Sequence, residues 1–109
     1  MAAQPLVSQS FADPLETFNT NILGTANILY AAEKISSIKS IVIITTDKVY
    51  KIKNSKKNYN ELDELGGKDP YSTSKVCAEF ITNSFKESFF KKKNISNKIS
   101  TARSGNVIG

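Results

Sequence analysis

A tyrosine and a lysine lie four residues apart in the segment Asp69-Pro70-Tyr71-Ser72-Thr73-Ser74-Lys75. Residues at this spacing share one face of a helix, so the Lys75 ammonium can stabilise the Tyr71 phenolate. That contact would lower the phenol pKa from about 10 toward neutrality. The sequence therefore predicts a general base and its supporting cation at the start of a helix.

The same spacing occurs at Tyr30 and Lys34, so the surroundings must separate the two pairs. The chain has 4 tyrosines, and with lysine at about one position in eight, roughly 0.5 such pairs arise by chance. Near the end of a predicted amphipathic helix, Tyr30 is interpreted as a packing residue and Lys34 as a solvated last-turn cation. Tyr71 instead follows an N-cap aspartate and a first-turn proline, which favours the site.

A second polar cluster, Thr46-Asp47-Lys48, ends an apolar, β-branched run that begins at Ser40. Such a run is typical of a buried parallel strand. Ligands of open α/β sheets bind beyond the carboxyl ends of the strands, so this tripeptide and the Tyr71 helix can face one crevice. Thr46, Tyr71 and Lys75 then form a set of hydroxyl, base and cation.

The other patterns predict the elements that position this set. Asp13-Pro14-Leu15-Glu16 carries helix-start signals, and the helix should continue to near Lys34. Its apolar face is predicted at helical spacing: Leu15, Phe18, Ile22, Ala26 and Leu29. A second helix should run from Pro70 to about Phe90, with its apolar side at Val76, Phe80, Ile81, Phe85 and Phe89.

Residues Lys98 to Arg103 are predicted to form another strand. The order strand end, helix, strand, loop, helix, strand indicates half of a doubly wound α/β sheet, with both helices on one face. The loop of about 22 residues between Thr46 and Asp69 is long enough to be functional or disordered. We expect it to border the active site and to be locally disordered.

Composition indicates a globular chain of one domain or less: 109 residues, 39% hydrophobic, net charge +5. No apolar run approaches the roughly 20 residues of a membrane span. Residues 1 to 12 lack a signal-peptide pattern, so a cytoplasmic location is expected.

Cys77 is the single cysteine and there is no histidine. These counts exclude an intrachain disulfide and His-ligated zinc, and no metal site is predicted.

The positive charge raises the question of nucleic acid. Apart from Arg103 the basic residues are lysines, and no recognised nucleic-acid-binding motif appears, so no nucleic-acid partner is predicted. The lysines are interpreted as solvated surface, and those of the long loop can favour a nucleotide diphosphate.

In order along the chain, these motifs resemble the extended short-chain dehydrogenase/reductase family of NAD-dependent epimerases and dehydratases, and within it the nucleotide-sugar 4,6-dehydratases. The stretches that carry the resemblance are Ala2-Ala3-Gln4-Pro5-Leu6-Val7, Glu16-Thr17-Phe18-Asn19-Thr20-Asn21-Ile22-Leu23-Gly24-Thr25, Thr46-Asp47-Lys48-Val49-Tyr50, Gly66-Gly67-Lys68-Asp69-Pro70-Tyr71-Ser72 and Ala102-Arg103-Ser104-Gly105-Asn106-Val107-Ile108-Gly109. The resemblance implies a Rossmann-like doubly wound parallel sheet, NAD as cofactor, and a homodimer formed through the two long helices.

Two departures from the family pattern matter. The family opens with a strand and a Gly-rich turn that holds the dinucleotide pyrophosphate, but the glycines at 24, 66, 67, 105 and 109 form no such cluster. The family also continues past the position of Gly109 into its substrate-binding part. Residues 1–109 are therefore expected to be a single fragment from the middle of such a domain, inactive alone.

The resemblance implies intramolecular redox on CDP-glucose, giving CDP-4-keto-6-deoxyglucose for deoxysugar and O-antigen biosynthesis. Tyr71 would take the proton of the sugar 4-hydroxyl, Thr46 would hydrogen-bond the 4-oxygen, and Lys75 would hold the nicotinamide ribose. Asp47 would protonate the departing C6 hydroxyl, while Lys48 would stabilise enolate charge or deprotonate C5. The other implied contacts are Ala2, Ala3, Gln4 and Thr20 with the cofactor, Asn106 with the nucleotide diphosphate of the substrate, and Asn21 with the catalytic lysine.

Two other functional classes stay open: a related epimerase or dehydratase for another sugar nucleotide, and a non-catalytic remnant or assembly module. Asp47 and Lys48 argue against a simple epimerase, which eliminates no water, whereas the missing Gly-rich turn favours the second class. Individual residues also have structural alternatives. Thr46 and Asp47 can be a strand terminus and turn, Lys48 a solvated loop cation, and Arg103 an ion-pair partner.

Overall fold

The computed structural model of the chain describes residues 3–51, 58–95 and 98–105. The α-helices are α1 (Val7–Ala12), α2 (Pro14–Phe18), α3 (Gly24–Glu33) and α4 (Pro70–Phe85). The strands are β1 (Ile41–Thr46) and β2 (Ile99–Ser104). π-helical turns at Asn19–Leu23 and Lys86–Phe90 extend the helices, and short 3-10 turns lie at Asp47–Val49 and Lys91–Lys93.

The first long helix begins where its start signals predict. The Asp13 carboxylate accepts a hydrogen bond from the Glu16 amide at 3.0 Å, and Pro14 takes the first helical position. The π-helical turn then joins α2 to α3 without a break, so one helical segment runs to Glu33. The predicted extent is confirmed.

Near its N-terminal end, this helical segment does not bury the apolar side chains that the sequence predicted for its inner face. Leu29 and Ala32 of α3 are buried as core residues, but Leu15 is 73% exposed. The α2 end turns polar side chains inward instead, with Thr17 and Asn21 buried and hydrogen-bonded. The predicted apolar face is therefore not buried at Leu15, and the hydrogen-bonded side chains of Thr17 and Asn21 face the interior at this end of the helix.

The two strands pair in parallel, in a register that runs from Ile41 opposite Ile99 to Thr46 opposite Ser104. A parallel pair needs a long crossover, which α4 supplies. The core lies on the sheet face that carries Ile41 and Ile43, where Leu29, Ala32, Phe90 and Ile99 cluster. The prediction that both helices cover one face is confirmed.

Val42 and Ile44 point to the other face of the sheet and are 55% and 45% exposed. The expectation of a fully buried strand is therefore half correct, because α3 and α4 pack on the opposite face only. The predicted order of elements begins with a strand end before the first helix, but residues 3–6 are irregular, and the sequence did not predict the short helix α1 that follows them.

The loop after β1 is paired at its two described ends. Tyr50 and Leu65 form an antiparallel bridge, and the Gly66 amide donates to the Val49 carbonyl at 2.7 Å. Residues 52–57 of this loop lie outside the described residues, so the expectation of local disorder between Thr46 and Asp69 stays a prediction. Among the helices of the described part of the chain, none has the length and apolarity needed to cross a membrane.

Gly67 lies against the first turn of α4, and this contact yields a stability prediction. A Cβ at Gly67 would lie 2.6 Å from Ser72 Cβ and from the Thr73 amide nitrogen. We expect Gly67→Ala to destabilise the chain by about 1–3 kcal/mol because the helix start must shift. Urea unfolding followed by circular dichroism measures the change.

Gly24→Ala is the matched control, since its Cβ would meet only the Asn19 carbonyl oxygen, at 3.9 Å. This position lies in a helix, so alanine should stabilise the chain by about 0.5–1 kcal/mol. Equal unfolding midpoints for Gly67→Ala and the unmodified chain would show that the loop end does not pack on α4.

Candidate active site

The carboxyl end of β1 lies next to the first turn of α4, and each element contributes a side-chain hydroxyl group. Tyr71 and Thr46 are both buried, and the Thr46 side chain lies near enough to the Tyr71 phenol to lower its pKa. The α4 start is fixed by Asp69, whose carboxylate accepts from the Ser72 amide at 2.8 Å and the Ser72 hydroxyl at 2.7 Å. The predicted meeting of strand end and helix start is thus present.

Lys75 lies one turn further along the same face of α4. Its side chain is largely buried, and its ammonium donates to the Ile44 carbonyl at 3.4 Å. Burial lowers the pKa of Lys75 because a charged ammonium is poorly solvated there. The base, the hydroxyl and the cation are therefore collected at one strand end.

The pKa of Tyr71 departs from the sequence prediction. It is raised above its ordinary value, chiefly by burial. The hydrogen bond from Thr46 lowers the pKa, but the negative charges of Asp47 and Asp69 raise it further. The expected lowering of the Tyr71 pKa is therefore wrong for this chain by itself: burial and the two carboxylates outweigh the Thr46 hydroxyl, and Lys75 is not among the groups that shift this pKa.

Asp47 and Lys48 extend from β1 into the mouth of the site. The Lys48 ammonium lies 3.9 Å from the Asp47 carboxylate, and both side chains are about half exposed. They border a cleft of about 250 Å³ that is lined by Asp47, Lys48, Tyr50, Tyr59, Gly66, Lys68, Asp69 and Ser72. Tyr71 and Lys75 are not among these lining residues. The Tyr71 and Lys75 pair therefore lies beside the cleft that Asp47 and Lys48 line, and not within it.

Gln4 is turned into the protein. Its side-chain amide donates to the Leu6 carbonyl at 2.9 Å and to the Thr17 hydroxyl at 2.8 Å, and its side-chain oxygen accepts from the Leu6 amide. These bonds occupy the groups that the resemblance assigns to the cofactor. Gln4 therefore shapes its segment, while its neighbour Ala3 is exposed.

Asn21 joins this segment to α4. Its amide nitrogen donates to the Gln4 carbonyl at 3.1 Å and to the Ser74 hydroxyl at 2.9 Å, and its oxygen accepts from the Gln4 amide. Ser74 in turn donates to the Tyr71 carbonyl. Asn21 thus acts on the backbone of the Tyr71 turn, whereas the resemblance linked it to Lys75.

The remaining predicted contacts have simpler placements. Thr20 lies half-buried on the π-helical turn next to Asn21. Ala2 and Asn106 lie outside the described residues. Arg103 makes an ion pair with Glu79, so its structural alternative is confirmed.

Sequence reasoning missed Glu79 and Thr45. Glu79 is buried, and one of its oxygens accepts from the Thr45 hydroxyl at 2.7 Å. The signal that could have found it is its spacing, because Glu79 follows Lys75 by four residues as Lys75 follows Tyr71.

A strand-end hydroxyl beside a Tyr-x-x-x-Lys pair on a Rossmann-type crossover helix defines the class of extended short-chain dehydrogenase/reductases. A family model described as GDP-mannose 4,6 dehydratase matches residues 1–108, and the chain belongs to this family. CDP-glucose 4,6-dehydratase of Salmonella typhimurium is 43% identical over 112 residues, which cover 100% of this chain and 31% of that protein. The dTDP-D-glucose 4,6-dehydratase of Dictyostelium discoideum is 30% identical over 99 residues, covering 82% of this chain and 23% of that protein.

Solved structures agree on the fold. UDP-glucose 4-epimerase of Thermus thermophilus, in complex with NAD, has a TM-score of 0.84 at 28% identity and covers 100% of this chain and 33% of its own. RMD from Pseudomonas aeruginosa, complexed with NADPH, has a TM-score of 0.83 at 26% identity, covering 100% of this chain and 36% of its own. The chain therefore spans about a third of the proteins it matches.

The charges around Tyr71 predict how its phenol titrates. Carbon-13 NMR of tyrosine-labelled chain should give a Tyr71 pKa above the ordinary value of about 10. Asp47→Asn should lower this pKa by removing a negative charge, and Thr46→Val should raise it by removing a hydrogen bond to the phenolate. A shift in the reverse direction in either variant would contradict the arrangement described.

The same shift predicts a pH dependence of stability. Because the pKa of Tyr71 is higher in the folded chain, the folded state holds the proton more tightly, and this contribution is fully present below about pH 10. It should be lost as the pH rises through the folded-state pKa. The urea midpoint should therefore fall as the pH rises above about 10. Tyr71→Phe should remove the part of this fall that Tyr71 causes, whereas Tyr30→Phe should leave that part unchanged.

Proposed function

We propose that residues 1–109 are a single fragment of an NAD-dependent epimerase/dehydratase domain. The complete protein that contains this domain converts CDP-glucose to CDP-4-keto-6-deoxyglucose. The observation that carries the proposal is the contact between Tyr71 and Thr46, with Lys75 on the same helix face and Asp47 and Lys48 at its mouth. Identity of 43% along the whole chain to a CDP-glucose 4,6-dehydratase supports the substrate.

The residues present fit a dinucleotide at the strand end. The Lys75 ammonium has three N–H donors, and its bond to Ile44 is long at 3.4 Å, so donors remain for a ribose hydroxyl. Exposed Ala3 presents only a methyl group, which allows close approach, and Thr20 adds a hydroxyl. When bound, NAD supplies the hydride acceptor for sugar C4, the hydride donor for C6, and a positive charge that favours the Tyr71 phenolate.

A Gly-rich phosphate turn is absent from these 109 residues. Charge-assisted hydrogen bonds of the kind that such a turn makes contribute roughly 1.5–3 kcal/mol each. We therefore expect this chain by itself to bind NAD weakly and to turn over no sugar nucleotide.

In the first half of the reaction, Tyr71 accepts the proton of the sugar 4-hydroxyl. The Thr46 hydroxyl lies near the phenol and can bond the 4-oxygen and hold it near the base. Lys75 places a buried cation on the same face, which stabilises negative charge in a poorly solvated site.

In the second half, water leaves across C5 and C6. The Lys48 amine accepts the C5 proton, the electron pair left at C5 forms the C5–C6 double bond, and Asp47 in its acid form protonates the C6 oxygen so that it leaves as water. Lys48 Nζ lies 3.9 Å from the Asp47 carboxylate, and once it is an ammonium it stabilises the developing enolate charge. Both side chains lie at the cleft rather than in the interior, so they can meet a sugar. This pair makes the site suitable for a dehydratase.

The proposal includes a cytoplasmic homodimer that acts on an anionic nucleotide sugar. Apolar side chains of the two long helical segments are exposed: Leu23, Ile28, Phe80 and Phe89. Exposed apolar groups on packed helices favour an interface between copies. The net charge of +5 favours the anionic substrate.

The choice of tyrosine is tested in a chimera in which residues 1–109 replace the aligned segment of the Salmonella relative. Tyr71→Phe should abolish product formation because it removes the base, whereas Tyr30→Phe should leave activity nearly unchanged. Tyr30 is 57% exposed and contacts Lys34, so the pair repeats the spacing without the strand end. Equal losses in both variants would identify the wrong tyrosine.

Asp47 and Lys48 are tested in the same chimera by rapid quench and mass spectrometry. Asp47→Asn should slow elimination by roughly 100- to 10,000-fold, so a 4-keto sugar that retains its C6 oxygen should accumulate. Lys48→Ala should stall the same step. If both variants instead lose C4 oxidation, while elimination from a supplied 4-keto sugar stays fast, Asp47 and Lys48 serve in substrate binding.

A further inference from the structure

Glu79 is a buried carboxylate that contacts both strands of the sheet. Arg103 of β2 donates to its two oxygens, from Nε at 2.8 Å and from Nη2 at 2.9 Å. Thr45 of β1 donates its hydroxyl to Glu79 Oε1 at 2.7 Å. Glu79 is 7% exposed, so these bonds form in a poorly solvated place where charge-assisted contacts are strong.

Glu79 continues the functional face of α4. Tyr71, Lys75 and Glu79 follow one another at intervals of four residues and therefore lie along one side of the helix. Each meets the carboxyl end of β1: Tyr71 at Thr46, Lys75 at the Ile44 carbonyl, and Glu79 at Thr45. A rotation of α4 would move all three together.

Arg103 also contacts the segment that borders the cleft. Its guanidinium lies 4.9 Å from the ring centroid of Tyr50, and the Tyr50 ring stacks on Tyr59 at 4.7 Å. Tyr50 and Tyr59 both line the cleft. The same arginine therefore connects the helix that carries the base to the wall of the cleft.

We propose that Glu79 is a positioning residue for the proposed reaction: held by Arg103 and Thr45, it fixes the rotation of α4 and so sets the meeting of Tyr71 with Thr46. A two-pronged bond from a planar guanidinium restricts orientation as well as distance, which a point charge does not. The inference rests on the proposed function for its activity test, but its structural test does not depend on that function.

The structural test uses carbon-13-tyrosine NMR of the 109-residue chain. Arg103→Lys keeps the positive charge but removes the two-pronged bond. We expect this variant to keep its far-UV circular dichroism while the Tyr71 resonance shifts and its pKa moves toward about 10, as the phenol leaves its buried contact. The control is Glu87→Gln, which removes an exposed ion pair of 3.3 Å with Lys91 and should leave Tyr71 unchanged.

The activity test uses the chimera. Arg103→Lys and Glu79→Gln should each lower kcat about 100-fold, with KM changed less than about threefold, because a displaced base slows the reaction while leaving binding largely intact. Unchanged Tyr71 signals and kcat in folded Arg103→Lys would overturn the proposal. An inactive parent chimera would refute the proposed function, and the NMR test would still decide the inference.

A second variant separates positioning from stability. Glu79→Gln can unfold the chain because it leaves the mostly buried Arg103 guanidinium without its carboxylate, so Glu79→Gln/Arg103→Met removes both charges. This double variant should recover folding but retain the low kcat and the altered Tyr71 signal. Recovery of kcat together with stability would show that the ion pair is structural only.

Discussion

Parallel pairing of β1 with β2 is the constraint on which the rest of the structure depends. Two parallel strands that follow each other in sequence need a crossover, and α4 provides it. The crossover brings the helix start back to the carboxyl end of β1, where Thr46 and Tyr71 meet. The proximity of Thr46 and Tyr71 is therefore a consequence of topology, while the loop after β1 supplies part of the adjoining cleft.

Polar contacts on two sides help to set the position of α4 at this end of the molecule. Asn21 bonds the backbone of Gln4 and the Ser74 hydroxyl on one side, and Glu79 bonds both strands on another. The main apolar cluster forms around Leu29 and Phe90, and Val49, Val76 and Ala78 are buried as well. Directional bonds near the chemistry suit a helix whose rotation determines where a proton acceptor lies.

The features that were predictable from sequence are those with local causes. Asp13 and Asp69 start their helices through side-chain contacts three residues away, and the β-branched run before Thr46 forms its strand. The raised pKa of Tyr71 and the inward turn of Gln4 depend on groups distant in sequence. Local patterns therefore predicted the elements that carry the candidate site, but they could not establish its electrostatics or its supporting bonds.

The central proposal is that the complete protein moves a hydride within one sugar and eliminates water at this site. The most direct test of this proposal supplies the chimera with CDP-glucose that carries deuterium at C4. The product is then analysed by mass spectrometry and NMR. The account predicts a 4-keto-6-deoxy product with the deuterium at C6. Deuterium recovered at C4 of an epimerised sugar that keeps its C6 oxygen would contradict the account and identify an epimerase.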